Sequence, residues 1–312
     1  MASSRSVVLA AFFANGAIAV LKFIGYLLTA SPAMLSETYH SISDTGNQVF
    51  LLIGLRYDER ARTREHPFGY GKAQFFYSFL VSVLLFGIAG WESAKHGYNA
   101  ILHPHARELA DPSLFGYTFP GIWVNYAVLI GAIIFEAWAL KKAHANMAAQ
   151  IEERGWSGFR EAFRKTSDVT VLTALTEDTI AMAGAGLALL GIWLTRQTGN
   201  PLFDATAALL IGLLLMGFAI ALAWENKRLL LGESLPQVEE NQLREIVRNW
   251  NGVELLLDFR TVYFGPENVV LAADVRFDDS LTAAELDETI DAIEAAIRDA
   301  NPDVTRVYIE PD

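Results

Sequence analysis

The sequence predicts a membrane protein, with an all-α domain of six transmembrane helices followed by a small cytoplasmic α+β domain. Three observations predict this fold class. The 312 residues are 52% hydrophobic, which is more than soluble proteins usually contain. The apolar residues gather in stretches of about 20, the length that crosses a bilayer. The charged residues are divided unevenly between the beginning and the end of the chain.

The division of charge separates residues 1–232 from residues 233–312. The second range holds 19 Asp and Glu against 6 Lys and Arg, whereas the first holds 17 against 18. We therefore expect a transmembrane domain at 1–232 and a soluble domain at 233–312. The acidic balance argues against nucleic acid as a partner, because such binding needs a basic patch. The absence of cysteine excludes disulfides, thiolate metal sites and cysteine nucleophiles.

Six apolar stretches of the first domain are predicted to be spans. They lie at about 7–29, 33–55, 74–96, 121–143, 168–195 and 203–224. The links after the second and fourth stretches are basic, so the positive-inside rule assigns both links and both termini to the cytoplasm. We expect a multi-pass protein of a bacterial inner membrane, without a cleavable signal peptide. Long buried helices of a soluble protein are the alternative, which the charge asymmetry of the loops disfavours.

The acidic second domain alternates between helical and strand patterns. "QVEENQLREIVRNW" has helical spacing of its apolar residues, and "ELLLDFRTVYF" and "NVVLAADVRF" are typical of strands around the turn "GPEN". "TAAELDETIDAIEAAIRDA" is typical of an amphipathic helix, and "TRVYIE" of a last strand. The predicted order is αββαβ, a ferredoxin-like arrangement with helices on one face of a sheet.

Polar residues interrupt the second apolar stretch at "SETYHSISDTGNQ", residues 36–48. His40 and Asp44 are four residues apart and therefore lie on one face of a helix, one turn from each other. A neutral imidazole and a carboxylate on one face form half of a tetrahedral site for a divalent ion such as Zn²⁺. A hydrogen bond that only packs helices together is the structural alternative for both residues.

The fifth stretch carries a second acidic group within "VLTALTEDTIAMAGAG". Glu177 and Asp178 are adjacent, so their side chains diverge by about 100° around the helix. One of them is expected to face the metal site while the other faces a neighbouring helix or water. Glu136, in "IIFEAWAL" of the fourth stretch, is a further carboxylate inside the membrane and serves either as a proton carrier or in packing.

These motifs together resemble the cation diffusion facilitator family. The resemblance rests on "SETYHSISD", "HPFGYGK", "EDTIAMAG" and "FDATAALLIG", and it covers nearly the whole chain, including the αββαβ tail. The second-span and fifth-span motifs are similar to the branch of the solute carrier 30 zinc transporters that includes the mitochondrial one. The resemblance implies a homodimer in the lipid bilayer that exchanges a divalent metal ion for protons.

The resemblance also implies which residues bind the metal. His40 and Asp44 match the family's HxxxD pair on the second span, and Asp178 matches the aspartate of the fifth-span pair. The partner of that aspartate, four residues earlier, is Ala174, which has no metal-binding atom. One expected ligand is therefore missing, and this departure puts affinity and metal choice in doubt.

Glu177 is our expected replacement for the missing ligand, with Asn47 or a water molecule as alternatives. The predicted metal ligands are His40, Asp44, Asp178 and Glu177. Zn²⁺ is the expected transported ion because a tetrahedral site of nitrogen and oxygen suits it. Mn²⁺, Fe²⁺ and Co²⁺ remain open, whereas the lack of sulfur ligands argues against Cu(I).

Two other family features concern the loop after the second span. The second metal site that this family often has there is expected to be absent, because His66 is accompanied by Thr63 and Tyr70. Lys72 and Asp204 match the family's interlocking ion pair, which implies that they join the third and sixth spans. The tail contains no histidine, so any metal there would bind weakly through acidic oxygens.

The function that follows is metal/proton antiport by alternating access. Binding requires a deprotonated imidazole and carboxylates, so metal binding and proton release are linked. We expect no enzyme activity and no cofactor other than the transported cation. An intramembrane metalloenzyme is a rival, although no HExxH motif is present. A metal-sensing dimer that transports nothing is a second rival.

Overall fold

The computed structural model describes residues 2–58, 60–104, 113–114, 117–118, 120–165, 169–266 and 268–312. The chain forms two compact units. The first, called the bundle unit, consists of Met1–Ile53 and Tyr77–Trp224. The second, called the sheet unit, consists of Gly54–Phe76 and Glu225–Asp312, and it therefore includes the loop after α2 as well as the tail.

Helices supply nearly all of the bundle unit, and the ends of some of them continue into the sheet unit. They are α1 Ala2–Thr29, α2 Pro32–Asp58, α3 Lys72–Leu84, α4 Trp91–Leu102, α5 Ile122–Arg154, α6 Phe159–Lys165, α7 Val169–Thr198 and α8 Leu202–Leu231. A π-helical turn, Leu85–Gly90, joins α3 to α4 without a break. Two short strands, β1 Ser113–Leu114 and β2 Tyr117–Thr118, pair in antiparallel fashion before α5.

Among the described residues, five helical segments are long and apolar enough to cross a membrane. They correspond to α1, the continuous α3–α4 segment, α5, α7 and α8, and they coincide with five of the six predicted stretches. The remaining stretch is α2, a helix of 27 residues whose polar side chains lower its hydropathy. The predicted helical membrane domain is confirmed. The predicted start of the fifth span at residue 168 lies outside the described residues.

One helix is much longer than the sequence predicted. The expected fourth span ends at residue 143, but α5 continues to Arg154. The additional residues, "HANMAAQIEER", are mostly strong helix formers, which the interpretation of this segment as a basic link did not take into account. Gly155 ends the helix with a φ of 64°, and the N–H of Trp156 donates to the carbonyl of Ile151 at 3.0 Å.

Glycines bring α4 and α8 into backbone contact. A Cβ atom on Gly97 would lie 2.3 Å from the backbone nitrogen of Leu209. A Cβ atom on Gly212 would lie 2.3 Å from the backbone nitrogen of Ala94. Small residues at such positions let membrane helices approach closely, because lipid offers no hydrophobic driving force for larger ones. The third and sixth predicted spans are therefore tightly packed in the bundle unit.

The tail has the predicted αββαβ order. Its elements are α9 Gln237–Arg248, β3 Val253–Gly265, β4 Asn268–Phe277, α10 Ala283–Ala300 and β5 Val304–Pro311. The sheet order is β3-β4-β5, with β3 and β4 antiparallel and β4 and β5 parallel. A capping box between Thr282 and Glu285 begins α10. The predicted small α+β domain is confirmed.

Alternating burial along β4 identifies the core side of this sheet. Val269, Leu271, Ala273 and Val275 are almost completely buried, as expected for the inward face of a strand with a period of two. Helix α9 packs on β3, α10 packs on β5, and the two helices contact each other. Their amphipathic faces and the inward face of the sheet form the core of the sheet unit.

The α2–α3 loop, residues 60–71, packs against the tip of the β3–β4 hairpin within the sheet unit. The rings of Phe68 and Phe264 lie 4.7 Å apart, and Lys72 Nζ is 4.8 Å from the centre of the Phe264 ring. A Cβ atom on Gly71 would lie 2.4 Å from the carbonyl oxygen of Phe264, so only glycine permits this approach. The loop is thus a fixed part of the sheet unit.

Candidate metal centre

The site begins with the local structure that holds α2 in place. Pro32 is the first residue of α2, where a missing N–H costs nothing. The Oγ atom of Ser31 accepts a hydrogen bond from the N–H of Met34 at 3.1 Å. The carboxylate of Asp204, on α8, accepts from Ser31 Oγ at 2.9 Å and from the N–H of Ala33 at 3.0 Å. The N-terminus of the helix that carries the predicted ligands is therefore capped from α8.

His40 and Asp44 lie together on α2, as predicted. His40 Nδ1 is 3.4 Å from Asp44 Oδ1, and both residues are buried. At this distance the contact is electrostatic, because it does not have hydrogen-bond geometry. Among the described residues, neither ring nitrogen of His40 has a hydrogen-bond partner. In a neutral imidazole the unprotonated nitrogen is available to bind a metal ion, and an unpaired buried polar group is otherwise costly.

Glu177 reaches this site from α7. Asn47 Nδ2 donates to the two carboxylate oxygens of Glu177 at 3.2 and 3.4 Å. The carboxyl groups of Asp44 and Glu177 interact electrostatically. Two buried negative charges repel each other strongly, so a cation between them would be favourable. The structure thus brings three of the four predicted ligands, His40, Asp44 and Glu177, to one region between α2 and α7.

Asp178, the fourth predicted ligand, is partly buried on α7 next to Glu177. It interacts electrostatically with Glu177 and with Glu136 of α5. Glu136 in turn interacts with Asp44 and Glu177, so it lies within the same acidic region. Among the described residues, no three His, Asp or Glu side chains are close enough to hold a metal ion as they stand. The complete ligand set therefore stays a prediction.

The sequence interpretation missed a buried cation beside this region. Lys22, in the middle of α1, donates to Glu37 Oε2 at 2.7 Å, and both side chains are buried. Lys22 also interacts electrostatically with His40, Asp44 and Glu136. A lone lysine inside an apolar span was the available signal, because such a charge needs a partner. Its partner could not be identified from spacing, since Glu37 lies on another helix.

Small residues on α7 make room for this ion pair. A Cβ atom on Gly184 would lie 2.6 Å from Glu37 Oε1, so the second carboxylate oxygen lies directly against the α7 backbone. Among the described residues, Glu37 Oε1 has no hydrogen-bond partner. The stretch "AMAGAG" of α7, which contains Gly184, therefore contacts α2 next to the site, as small residues permit.

The α2–α3 loop contains contacts among its own side chains. Thr63 Oγ1 and the Tyr70 hydroxyl are 3.2 Å apart, and the rings of His66 and Tyr70 stack with centres 4.3 Å apart. The three side chains at the positions of the family's loop ligands thus contact one another.

The predicted ion pair between Lys72 and Asp204 stays a prediction, because the two residues belong to different units. Within the bundle unit, Asp204 accepts hydrogen bonds from Ser31 and Ala33 at the start of α2. Within the sheet unit, Lys72 lies over the Phe264 ring.

Comparison with known families and proteins identifies the two parts of the chain. A family model described as the cation efflux transmembrane domain matches residues 8–231. A second model, described as the cation efflux protein cytoplasmic domain, matches residues 235–312. The two matches together cover nearly the whole chain.

Three relatives illustrate the range of similar proteins. The human mitochondrial proton-coupled zinc antiporter SLC30A9 is 30% identical over 272 residues, which are 87% of this chain and 46% of that protein. Metal tolerance protein C4 of Arabidopsis thaliana is 26% identical over 88% of this chain and 57% of that protein. The cation-efflux pump FieF of Pectobacterium atrosepticum is 25% identical over 96% of this chain and 90% of that protein. The chain thus spans about half the length of the first two relatives.

Proposed function

The chain belongs to the cation efflux family of integral membrane transporters, and from this premise we propose that it exchanges Zn²⁺ for protons. The observation that carries the proposal is the buried imidazole of His40, which has no hydrogen-bond partner among the described residues and lies beside Asp44. Glu177 approaches the same region from α7. The human relative's name describes a proton-coupled zinc antiporter, which supports the choice of ion and of coupling.

We propose that His40, Asp44, Glu177 and Asp178 bind the ion together when α2 and α7 move closer. A four-coordinate set of one nitrogen and three carboxylate oxygens is compatible with Zn²⁺. In this chain Glu177 takes the place of the ligand that Ala174 does not supply. Rocking of the helices around the bound ion would then expose the site to one side of the membrane and then to the other.

Proton coupling follows from the same groups. Metal binding requires a deprotonated imidazole and carboxylates, so we expect metal entry to displace protons from these side chains. Glu136, which interacts electrostatically with Asp44 and Asp178, is the proposed acceptor of a released proton. The cycle requires no covalent chemistry, which agrees with membership in a transporter family.

Transport of Mn²⁺, Fe²⁺ or Co²⁺ is the second candidate function. It is favoured by the three carboxylates in the proposed ligand set, because these harder ions accept oxygen ligands readily. It differs from the first candidate only in the ion carried. The same site and the same coupling would serve either function.

We further propose that the protein is a homodimer, with both termini in the cytoplasm of a bacterial cell. Exposed apolar side chains on the sheet, Leu255, Leu257 and Tyr308, support an interface in the 233–312 domain. The basic links after the second and fourth spans support the orientation. A bacterial inner membrane is supported by the similarity to the FieF pump over most of both chains.

The proposal is tested by ⁶⁵Zn²⁺ uptake into proteoliposomes with and without a pH gradient. Wild type is compared with Asp44→Ala and with Glu92→Gln, a control that removes an exposed carboxylate from α4. We expect gradient-driven uptake for wild type and the control, and a reduction of at least about 100-fold for Asp44→Ala, since metal sites depend steeply on each ligand. Uptake that is equal in all three proteins would refute the site.

A further inference from the structure

A large cavity opens at the end of the bundle where α1 turns into α2. Its volume is about 1050 Å³. The lining includes Thr29, Ser31 and Pro32 from the turn, Asn125 from α5 and Asp204 from α8. We call it the turn-end cavity. It lies entirely within the bundle unit, and under the proposed orientation it faces the non-cytoplasmic side.

The Lys22–Glu37 ion pair lies between this cavity and the metal centre. Along α2, Glu37 is about 7.5 Å and His40 about 12 Å beyond Pro32, which lines the cavity. Along α1, Lys22 is about 10 Å from Thr29, which also lines the cavity. An ion moving from His40 to the cavity by the shortest path along α2 therefore passes Glu37.

A packed layer closes the cavity floor above the ion pair. Gly25 of α1 lies so close to its neighbours that a Cβ atom there would be 2.7 Å from both Asn125 Oδ1 and Met34 Cε. Asn125 and Met34 are both completely buried, and Asn125 Nδ2 donates to Thr29 Oγ1 at 2.7 Å. The metal centre is consequently separated from the turn-end cavity in this conformation.

The Lys22–Glu37 ion pair uses only one of the two carboxylate oxygens of Glu37. Lys22 occupies Glu37 Oε2, whereas Oε1 has no hydrogen-bond partner among the described residues. Glu37 and His40 are three residues apart and lie on one face of α2. Among the described residues, a carboxylate oxygen without a hydrogen-bond partner thus lies one helical turn from an imidazole whose nitrogens also have none.

We propose that Glu37 is a transfer ligand on the route between the metal centre and the turn-end cavity, with Lys22 as its resident counter-ion. A divalent cation that leaves His40 and Asp44 towards the cavity replaces the Lys22 ammonium at Glu37, and the displaced ammonium pairs with the Asp44 carboxylate that the cation has left, with which it already interacts electrostatically. When the cation has left, Lys22 returns and the route is closed. A buried carboxylate requires a positive partner throughout, and the exchange supplies one at each stage. This inference rests on the proposed transport function and deepens it.

A purely structural role of the ion pair makes a different prediction. Replacing a buried ion pair by apolar residues of similar volume is often neutral for folding. If the pair only joins α1 to α2, a variant that lacks both charges should transport normally. If Glu37 binds the passing cation, the same variant should fold, bind Zn²⁺ at His40 and Asp44, and transport slowly.

The experiment measures equilibrium Zn²⁺ binding in detergent and initial ⁶⁵Zn²⁺ uptake into proteoliposomes. The variants are Lys22→Met/Glu37→Leu and Glu37→Gln, and the control is Lys95→Met/Glu92→Leu, which removes an exposed ion pair from α4. We expect binding close to that of wild type in all of them. Initial uptake should fall below about one tenth of the wild-type rate in both Glu37 variants. Initial uptake by the control should be unchanged.

The possible outcomes distinguish a transfer role of Glu37 from a purely structural role and from failure of the proposed function. Wild-type uptake by the double variant would overturn the inference and leave the proposed function intact. If the double variant is misfolded and does not bind Zn²⁺, the Glu37→Gln variant tests the inference instead. Glutamine still accepts a hydrogen bond from Lys22 but is a poor metal ligand. Normal uptake by Glu37→Gln would also overturn the inference. Failure of the wild type to take up Zn²⁺, Mn²⁺, Fe²⁺ or Co²⁺ would contradict the proposed function itself.

Discussion

The contact between α4 and α8 allows a prediction whose size follows from the structure. The change is Gly97→Ala, which adds one methyl group. Its Cβ atom would lie 2.3 Å from the backbone nitrogen of Leu209, 2.8 Å from its Cα atom and 2.9 Å from the carbonyl carbon of Ala208. Because these atoms belong to the backbone of α8, no side-chain rotation can relieve the clash. The two helices must separate.

The expected free-energy cost is the difference between two effects. Overpacking a well-packed interior typically destabilises by about 1–3 kcal/mol. The better helix propensity of alanine stabilises the folded protein by about 1 kcal/mol relative to glycine. Gly87→Ala is a matched control in the same predicted span, because a Cβ atom there meets nothing within 4 Å. We expect Gly97→Ala to be destabilised by up to about 2 kcal/mol, and the control to be unchanged or slightly stabilised.

The assay is the apparent melting temperature of the purified protein in detergent. A cost of about 2 kcal/mol corresponds to a fall of roughly 3 °C in a chain of 312 residues, because the entropy of unfolding grows with chain length. Initial zinc uptake should fall as well, because separated helices change the bundle that holds the site. Equal melting temperatures for Gly97→Ala and Gly87→Ala would show that the backbone contact between α4 and α8 is not formed.

Two further predictions concern the sheet unit. Phe264→Ala should speed hydrogen exchange in the α2–α3 loop of the full-length protein, because the ring that holds the loop is removed. Leu257→Ala changes an exposed residue of the same strand and should leave exchange in the loop unchanged. Equal exchange rates in the two variants would contradict the packing of the loop on Phe264. Hydrogen bonds from Thr282 lower the pKa of Glu285 in the folded protein. The charged carboxylate therefore stabilises α10 fully when the pH is above the ordinary pKa of 4.5. This stabilisation is lost as the pH falls through the lower pKa of the folded state. Protection factors of the α10 amides, which correct for the slower intrinsic exchange in acid, should fall on acidification in wild type and in the exposed control Asp287→Asn, but less in Glu285→Gln. Identical profiles would contradict the cap.

Hydropathy and periodicity predicted most of the architecture. Five of the six predicted spans are recovered as long apolar helices, and the tail elements follow in the predicted order. These features depend on local sequence patterns, which a single chain displays directly. The length of α5 was missed because the segment after residue 143 was interpreted by its charge, although its alanine-rich composition favours a helix.

The candidate site was only partly predictable for a related reason. The spacing of His40 and Asp44 on one helix is visible in the sequence, whereas the pairing of Lys22 with Glu37 depends on how two helices face each other. Four-residue spacing carries no information about that orientation. The pairing of Lys72 with Asp204, expected from matching motif positions, stays a prediction, because the two residues belong to different units.

The unpartnered imidazole of His40 has a consequence for the speed of the transporter. In resident metal centres a second hydrogen bond usually fixes the tautomer of a ligating histidine, and losing it costs about 10–100-fold in affinity. His40 has no such partner among the described residues, so no hydrogen bond fixes which of its nitrogens carries the proton. In the proposed site we therefore expect a short residence time for a bound ion. A storage protein would lose its cargo by this arrangement, whereas a carrier gains turnover from it.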